Sequence, residues 1–233
     1  MTDVDRRNLI ALGAVAGAGV LVSSAQAADA PAAAAPSGFA PKPLPIDPAA
    51  VPGLSEKLLR SHYDNNYTGA VKRLGAIRAA FAALDPATAA NFTINGLKRE
   101  ELVAWNSMII HEVYFASLGT GHPSPGAALG QAIERDFGSH ARWAAEFSGM
   151  GKALGGGSGW VLLTYSPHDH RLVNQWAADH TMALAGATPI LALDMYEHAY
   201  AMDYGAKAAA YVDAYMKVTD WASADAAYAK LSA

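Results

Sequence analysis

A short polar run, Asp194-Met195-Tyr196-Glu197-His198, places a carboxylate and an imidazole four residues apart. Positions i and i+4 of a helix share one face, so this spacing predicts that Asp194 and His198 can bind one metal ion together. Glu197 then points towards a different group. The apolar run from Pro189 to Leu193 indicates that the pair is buried, and a buried carboxylate needs a metal or a hydrogen-bonded partner. A polar pair that caps a helix has the same spacing, so the run alone leaves both interpretations open.

The surrounding segment, Ala192 to Tyr200, closely resembles the D-x-W-E-H-A signature of the iron/manganese superoxide dismutases. Three other segments follow the order and spacing of that family. Ile133 to Ser139 is similar to the helix that leads into the C-terminal domain, and Gly157 to Leu163 resembles the glycine-flanked tryptophan that opens the sheet. Tyr211 to Trp221 is similar to the final helix and its closing tryptophan. The resemblance extends from about Pro43 to the end of the chain.

Helical periodicity of apolar residues marks the N-terminal half of the chain. It runs from Leu54 to Phe81, as one or two helices, and again from Leu102 to Leu118. The second stretch stops at the breaker cluster Gly119 to Pro123. Two shorter helices are predicted over Ala127 to Phe137 and Ala141 to Met150.

Residues rich in β-branched and aromatic side chains follow. Trp160 to Tyr165 and Arg171 to Trp176 predict a hairpin joined by a polar turn, a third strand is expected just before Asp194, and helices are expected to the end. The predicted fold class is therefore α+β: an N-terminal helical hairpin domain over 49–121, then an α+β domain over 122–233 with a small three-stranded antiparallel sheet.

The N-terminus has the pattern of an export signal. Arg6-Arg7 forms a twin-arginine motif, followed by an apolar stretch from Leu9 to Val22 and small residues at 25–27. The stretch is short and rich in Ala and Gly, so residues 1–27 are predicted to be a removable signal peptide rather than a stable membrane insertion; an uncleaved anchor is the alternative. Residues 28–48 are rich in Ala and Pro and are predicted to be a flexible linker. The expected location is the periplasm, or outside the cell, by the twin-arginine route.

The overall composition limits the ligands available for a metal site and the kinds of partner the chain can bind. The 233-residue chain has no cysteine, so a metal site must be built from histidine and carboxylate ligands, which favours hard or borderline metals. Its formal net charge of −4 argues against nucleic acid as a partner. A carboxylate-bridged di-iron bundle is excluded, because it requires several Glu and E-x-x-H pairs on helices.

The family resemblance implies the metal ligands. Asp194 and His198 come from the signature run, while His62 and His111 fall where the family has its ligands on the first and second long helices. Three imidazoles and one carboxylate would hold one Fe or Mn ion per subunit and leave a position for solvent. The implied substrate is superoxide.

Further residues are expected around that metal. His180 lies near the point where one branch of the family has a histidine that hydrogen-bonds the metal-bound solvent, and no glutamine occupies the alternative positions. Trp160, Tyr196 and Phe115 are candidates for an aromatic wall, each with an ordinary core role as the alternative. Four remaining histidines are expected outside the site: His122, His140, His168 and His170.

The family pattern also implies a homodimer through Glu197 and His198, in which Glu197 reaches the partner subunit's ligand. Several positions depart from that pattern. Asn66 and Ala70 replace the usual histidine and tyrosine after the first ligand, and Ala201 replaces the tyrosine that meets that histidine across the interface. Asn65 and Ala208 stand where cations are expected, so weak steering of an anion is predicted. These departures leave open a second function, a dismutase-like metal-binding protein with little or no turnover.

Overall fold

The structure is a computed structural model and describes residues 39–233. The predicted signal peptide and residues 28–38 of the predicted linker lie outside the described residues. Phe39 and Lys42, which belong to the predicted linker, contact the helical region: the Phe39 ring lies 5.8 Å from the Trp105 ring, and the Lys42 amide donates to the Tyr67 hydroxyl. No helix among residues 39–233 is long and apolar enough to cross a membrane.

The N-terminal region consists of helices packed side by side. Helix α1 (Glu56–Ser61) is capped by Ser55, whose hydroxyl accepts from the Leu58 amide, and leads into a π-helical segment (His62–Tyr67) and then α2 (Thr68–Ala82). Helix α3 (Asn91–Ala116) packs antiparallel to α2 as the second arm of the predicted hairpin.

Helix α3 differs from the sequence prediction, which began it at Leu102. It starts at Asn91, and the segment before Leu102 has few apolar residues, of which Phe92 is exposed and Leu97 packs against Leu74, Ile77 and Ala104. The same segment also pairs with α2 by charge: Arg78 donates to Glu101, and Arg73 donates to Glu100.

The C-terminal region is α+β, as predicted. Helices α4 (Ala127–Phe137) and α5 (His140–Ala153) are separated by Gly138, which adopts φ +83°, and by Ser139, whose hydroxyl caps α5. After the sheet come four helical elements: a 3₁₀ turn (Glu197–Ala199), α6 (Ala201–Tyr204), α7 (Ala208–Lys217) and α8 (Ala222–Leu231).

The sheet has three antiparallel strands in the order β2-β1-β3. Strand β1 (Trp160–Ser166) is central and buried on both faces, which explains its continuous apolar sequence; β2 (Arg171–Ala177) and β3 (Thr188–Asp194) are the edges. The register shifts between Leu163 and Thr164 opposite Pro189, which cannot donate to the ladder and is tolerated at an edge bulge. The predicted hairpin and third strand are confirmed.

Asp194 and His198 do not lie on one face of a helix, so the helical geometry predicted for this pair is wrong. Asp194 is the last residue of β3, paired across the sheet with Trp160, and His198 lies in the 3₁₀ turn after it. The chain turns sharply between them, and the Asp194 carboxylate accepts from the Tyr196 amide at 2.9 Å. Strand end and turn bring the two side chains together in place of a helix.

Candidate metal centre

Four side chains from distant parts of the chain converge on one point. Each of His62, His111, Asp194 and His198 offers one ligand atom, and these atoms all lie within 4.8 Å of one another. The Asp194 Oδ2 atom is 3.1 Å from His62 Nε2, 3.2 Å from His198 Nε2 and 3.6 Å from His111 Nε2. His62 and His111 are 1% exposed and Asp194 is fully buried.

The backbone around His62 explains how it enters this cluster. His62 opens the π-helical segment, in which the Thr68 amide donates to the Tyr63 carbonyl five residues back. The wider turn changes the direction of the helix face, and such segments recur at functional sites. The Asn65 side chain donates to the Ser61 carbonyl at 2.9 Å, so it stabilises this segment. Sequence periodicity alone gives no signal for the π segment.

His111 is oriented by its own helix. Its Nδ1 atom lies 2.6 Å from the Ser107 carbonyl oxygen one turn earlier. A carbonyl can only accept, so Nδ1 carries the hydrogen and the Nε2 lone pair faces Asp194. Ser107 was not anticipated from the sequence, although its i−4 spacing from His111 is the available signal.

Burial sets the ionisation of the cluster. Desolvation lowers the pKa of His111 to about 3 and also lowers the pKa of His62, so both rings are neutral at physiological pH. Burial acts to raise the pKa of Asp194, but contacts with His198 and His62 outweigh it and hold that pKa well below its usual range. The result is a buried anion facing neutral imidazole nitrogens.

The donor set fits a resident metal ion. His62 Nε2 and His111 Nε2 are buried and have no hydrogen-bond partner among the described residues. Buried polar atoms without partners are costly, and buried charges are found paired or bound to metal. A cation at the common centre would satisfy both nitrogens and balance the Asp194 charge.

Aromatic rings surround the cluster, one against each imidazole. The Trp160 ring lies 5.1 Å from His111, the Phe115 ring lies 5.0 Å from His62, and the Tyr196 ring stacks on His198 at 5.4 Å. All three residues predicted for an aromatic wall therefore lie at the cluster. Tyr114, which was not anticipated, also lies 5.0 Å from His62.

His180 lies beside the cluster, while the other four histidines do not. Its ring is 6.1 Å from His111 and 5.7 Å from Trp160. Its main-chain carbonyl accepts from the Asn106 side chain at 2.6 Å, which ties the loop to α3. The four histidines expected outside the site are all exposed: His122, His140, His168 and His170.

A cleft of about 290 Å³ leads to the cluster between α2 and α3. Asn66, Ala70 and Arg73 lie along it at i, i+4 and i+7 of one helix face, and Ser107, His111, His180 and His198 line its inner part. Arg73 was not anticipated and supplies a cation at the mouth, shared with Glu100, which also accepts from Arg99.

Comparison with known proteins decides the family. A profile described as "Iron/manganese superoxide dismutases, C-terminal domain" matches residues 125–227. A curated protein named "Superoxide dismutase [Fe]" from Cupriavidus metallidurans is 70% identical over 188 residues, which cover 81% of this chain and 95% of the relative. The chain belongs to the iron/manganese superoxide dismutase family.

More distant members of the iron/manganese superoxide dismutase family match over a similar extent. "Superoxide dismutase [Mn] 1" of Halobacterium salinarum is 35% identical over 182 residues, 77% of this chain and 89% of the relative. "Superoxide dismutase [Fe]" of Aquifex pyrophilus is 31% identical over 185 residues, 76% of this chain and 84% of the relative. The names of the relatives include both metals.

The positions expected to depart from the family pattern lie in three places. Asn65, Asn66 and Ala70 line the cleft in front of the cluster, and Ala208 is buried at the start of α7. Ala201 begins α6 and is exposed, as is Glu197 in the preceding turn. The His198 side chain is 26% exposed, so the cluster is covered least on the side of these residues.

Proposed function

We propose that this chain is a superoxide dismutase with one Fe or Mn ion per subunit, held by His62, His111, Asp194 and His198. The reaction consumes two superoxide anions and two protons and yields dioxygen and hydrogen peroxide. The observation that carries this proposal is the convergence of four largely buried donor atoms within 4.8 Å. The names of the family members support the activity, and the relative with 70% identity favours iron.

The ligand set suits this chemistry. Imidazole and carboxylate ligands bind iron and manganese well, and four protein donors leave room for solvent or substrate. The metal, when bound, supplies the one-electron oxidation and reduction of superoxide. The chain's own residues bind it, exclude competing ligands and direct protons.

Each neighbouring residue has a task in this proposal. Trp160, Phe115 and Tyr196 cover the imidazoles and limit the access of water and larger ligands. Burial raises the pKa of Tyr196 to about 12, so its hydroxyl stays protonated. His180 lines the cleft and is placed to donate a hydrogen bond to solvent or to the product peroxide.

A metal-binding protein with little turnover remains the second candidate, and the specific observation that favours it is the replacement at Asn66, Ala70 and Ala201. Activity separates the two. The chain lacking residues 1–27 is reconstituted with Fe or Mn, and metal content and the second-order rate of superoxide loss are measured together. Stoichiometric metal with no loss beyond the spontaneous rate would refute the enzyme.

Two histidine variants make that assay specific. His62→Gln removes a buried ligand, whereas His122→Gln changes an exposed histidine that contacts Asp220. The proposal predicts that His62→Gln loses metal and activity and that His122→Gln retains both. Equal activity in the two variants would refute the assignment of His62.

We also propose a homodimer in which Glu197 contacts the partner subunit's His198. The exposure of Glu197 and the partial exposure of His198 support a surface that a second copy covers. Sedimentation tests this: Glu197→Gln should dissociate more readily than Glu134→Gln, which changes an exposed acid on α4. A monomeric parent chain at micromolar concentration would refute it.

Export by the twin-arginine route is proposed from Arg6-Arg7 and the apolar segment after it. Folded cargo uses this route, which suits a protein that acquires metal before export. Cell fractionation of the full chain should place processed protein in the periplasm, and Arg6→Lys with Arg7→Lys should retain it in the cytoplasm. Unprocessed cytoplasmic protein from the parent chain would contradict this.

A further inference from the structure

His180 and Tyr196 form a hydrogen-bonded pair beside the metal ligands. The Tyr196 hydroxyl lies 3.1 Å from His180 Nδ1, and the two rings stack at 5.0 Å with 23° between their planes. The other ring nitrogen, His180 Nε2, is buried and has no hydrogen-bond partner among residues 39–233. Nδ1 is therefore hydrogen-bonded to the phenol, whereas Nε2 can form a hydrogen bond with a group in the cleft.

The main chain around His180 is fixed separately from its ring. The Asn106 side chain donates to the His180 carbonyl at 2.6 Å, and Thr181 donates to the Asp179 carboxylate through both its amide and its hydroxyl. None of these contacts involves the imidazole. The orientation and hydrogen placement of the ring thus depend on Tyr196 as its hydrogen-bonding partner.

The direction of this hydrogen bond follows from the partners present. Among the described residues, the Tyr196 hydroxyl has no hydrogen-bond acceptor other than His180 Nδ1. If Nδ1 were the donor, the phenol hydrogen would lack a protein acceptor and Nε2 would carry a lone pair. If the phenol donates, its hydrogen bonds to the lone pair of Nδ1. The ring hydrogen is then attached to Nε2, which becomes the donor.

We propose that Tyr196 is a positioning residue whose hydroxyl donates to His180 Nδ1 and so places the imidazole hydrogen on Nε2, where it is directed as a donor into the cleft. The inference rests on the proposed function only for the identity of the group in the cleft that accepts the hydrogen of Nε2. It also gives a reason for the combination of a tyrosine at position 196 with a histidine at position 180. Tyr196 stands where the resembled signature has a tryptophan, and His180 lies near the point where one branch of the family has a histidine and other members have a glutamine.

The pairing has a chemical rationale. A glutamine side chain carries its donor and acceptor on different atoms, whereas a neutral histidine has two tautomers with opposite polarity at Nε2. A histidine in this position needs a neighbour that selects one tautomer, and outer hydrogen-bond partners of this kind commonly change activity by about 10- to 100-fold. The hydroxyl of Tyr196 is the only such neighbour of Nδ1 in the described part of the chain.

The test is nitrogen NMR of ¹⁵N-histidine-labelled protein, loaded with diamagnetic Zn²⁺ and assigned with His180→Gln. The parent chain should show His180 with hydrogen on Nε2. Tyr196→Phe should redistribute the ring between tautomers, while Tyr204→Phe should leave it unchanged, because the Tyr204 hydroxyl donates to the Gly53 carbonyl instead. A parent chain with hydrogen on Nδ1, or an unaltered tautomer in Tyr196→Phe, would overturn the proposal.

A second measurement covers the case in which Tyr196→Phe disturbs packing. In the Fe- or Mn-loaded chain, Tyr196→Phe should lower kcat by about tenfold, but by less than twofold when His180 is already glutamine. An equal loss in both backgrounds would mean that Tyr196 acts through packing alone, and the proposal would fail. Should the parent chain lack dismutation, the tautomer measurement still decides the inference, so failure of the function and failure of the inference are distinguishable.

Discussion

Gly159 is the position where one added methyl group should damage the site most. It precedes Trp160, adopts φ +136°, and its carbonyl accepts from the Met195 amide at 2.9 Å. A Cβ atom there would lie 2.2 Å from the Ala177 carbonyl oxygen, which is backbone and cannot rotate away. Substitution must therefore move β1 away from β2, and with it the Trp160–Asp194 register.

The magnitude for Gly159→Ala combines two contributions. The backbone conformation costs a residue with a side chain about 1–3 kcal/mol, and forcing an atom into packed structure costs about 1–3 kcal/mol more. The two contributions add, so we expect the free energy of unfolding to fall by about 2–6 kcal/mol. Urea unfolding of the metal-free chain measures it, and weakened metal affinity should accompany it.

Two other glycines serve as matched controls. Gly156 also has positive φ, +83°, but a Cβ there meets nothing within 4 Å, so Gly156→Ala should cost only about 1–2 kcal/mol. Gly149 lies inside α5 with open space around it, so Gly149→Ala should stabilise by about 0.5–1 kcal/mol. If Gly159→Ala cost no more than Gly156→Ala, the close approach to Ala177 would be refuted.

Three further predictions concern the cleft, the core and the metal. Arg73→Gln should lower kcat/KM about twofold at low ionic strength and flatten its salt dependence, because a unit charge at about 10 Å in water is worth about 0.4 kcal/mol. Tyr67→Phe should reduce the loss of stability between pH 10 and about 12, since burial raises the pKa of Tyr67 to about 12. Removing the metal with a chelator should lower the unfolding temperature of the parent chain but not of Asp194→Asn. At a metal concentration of about 1,000 times Kd, bound metal adds about 4 kcal/mol to the free energy of unfolding, and this is what the chelator removes.

The sign of the alkaline effect follows from linkage. The folded pKa of Tyr67 is raised above the ordinary value of 10, so its contribution is complete below pH 10 and is lost as pH rises towards about 12. Over this pH range, each tyrosine with a raised pKa makes the free energy of unfolding fall more steeply with pH, by about 1.4 kcal/mol per pH unit. Equal slopes for Tyr67→Phe and the parent in urea unfolding would contradict this.

The other two predictions have their own controls. Lys230→Gln removes the same charge from α8 and does not line the cleft, so it should change kcat/KM less than Arg73→Gln does. An equal effect of the two variants would show that Arg73 acts only through net charge. A chelator effect of equal size in Asp194→Asn would show that the metal binds elsewhere.

Much of the fold could be predicted because its strongest signals are local. The apolar run of β1, the polar turn after it and the strand-forming residues of β2 mark the hairpin, and Gly138 ends α4 where the apolar period stops. The first turns of α3 escaped prediction because they carry few apolar residues, and charge pairs with α2 add to the packing of Leu97.

The candidate site also combines features that the sequence predicts with features that depend on contacts between separate elements. His62, His111, Asp194 and His198 could be picked out by resemblance, but the geometry inferred for Asp194 and His198 was wrong, since i+4 spacing fits a strand end and turn as well as a helix. The π-helical segment at His62 depends on tertiary packing, which no local pattern encodes. Arg73 and the Tyr196–His180 hydrogen bond likewise depend on how separate elements meet.

The most direct test of the proposed metal centre is a crystal structure of the metal-loaded chain with anomalous scattering recorded at the Fe or Mn absorption edge. We expect one anomalous peak per subunit, bonded to the Nε2 atoms of His62, His111 and His198 and to Asp194 Oδ2, at about 2.0–2.3 Å. A peak that lies elsewhere, or that lacks any one of these four ligands, would contradict it.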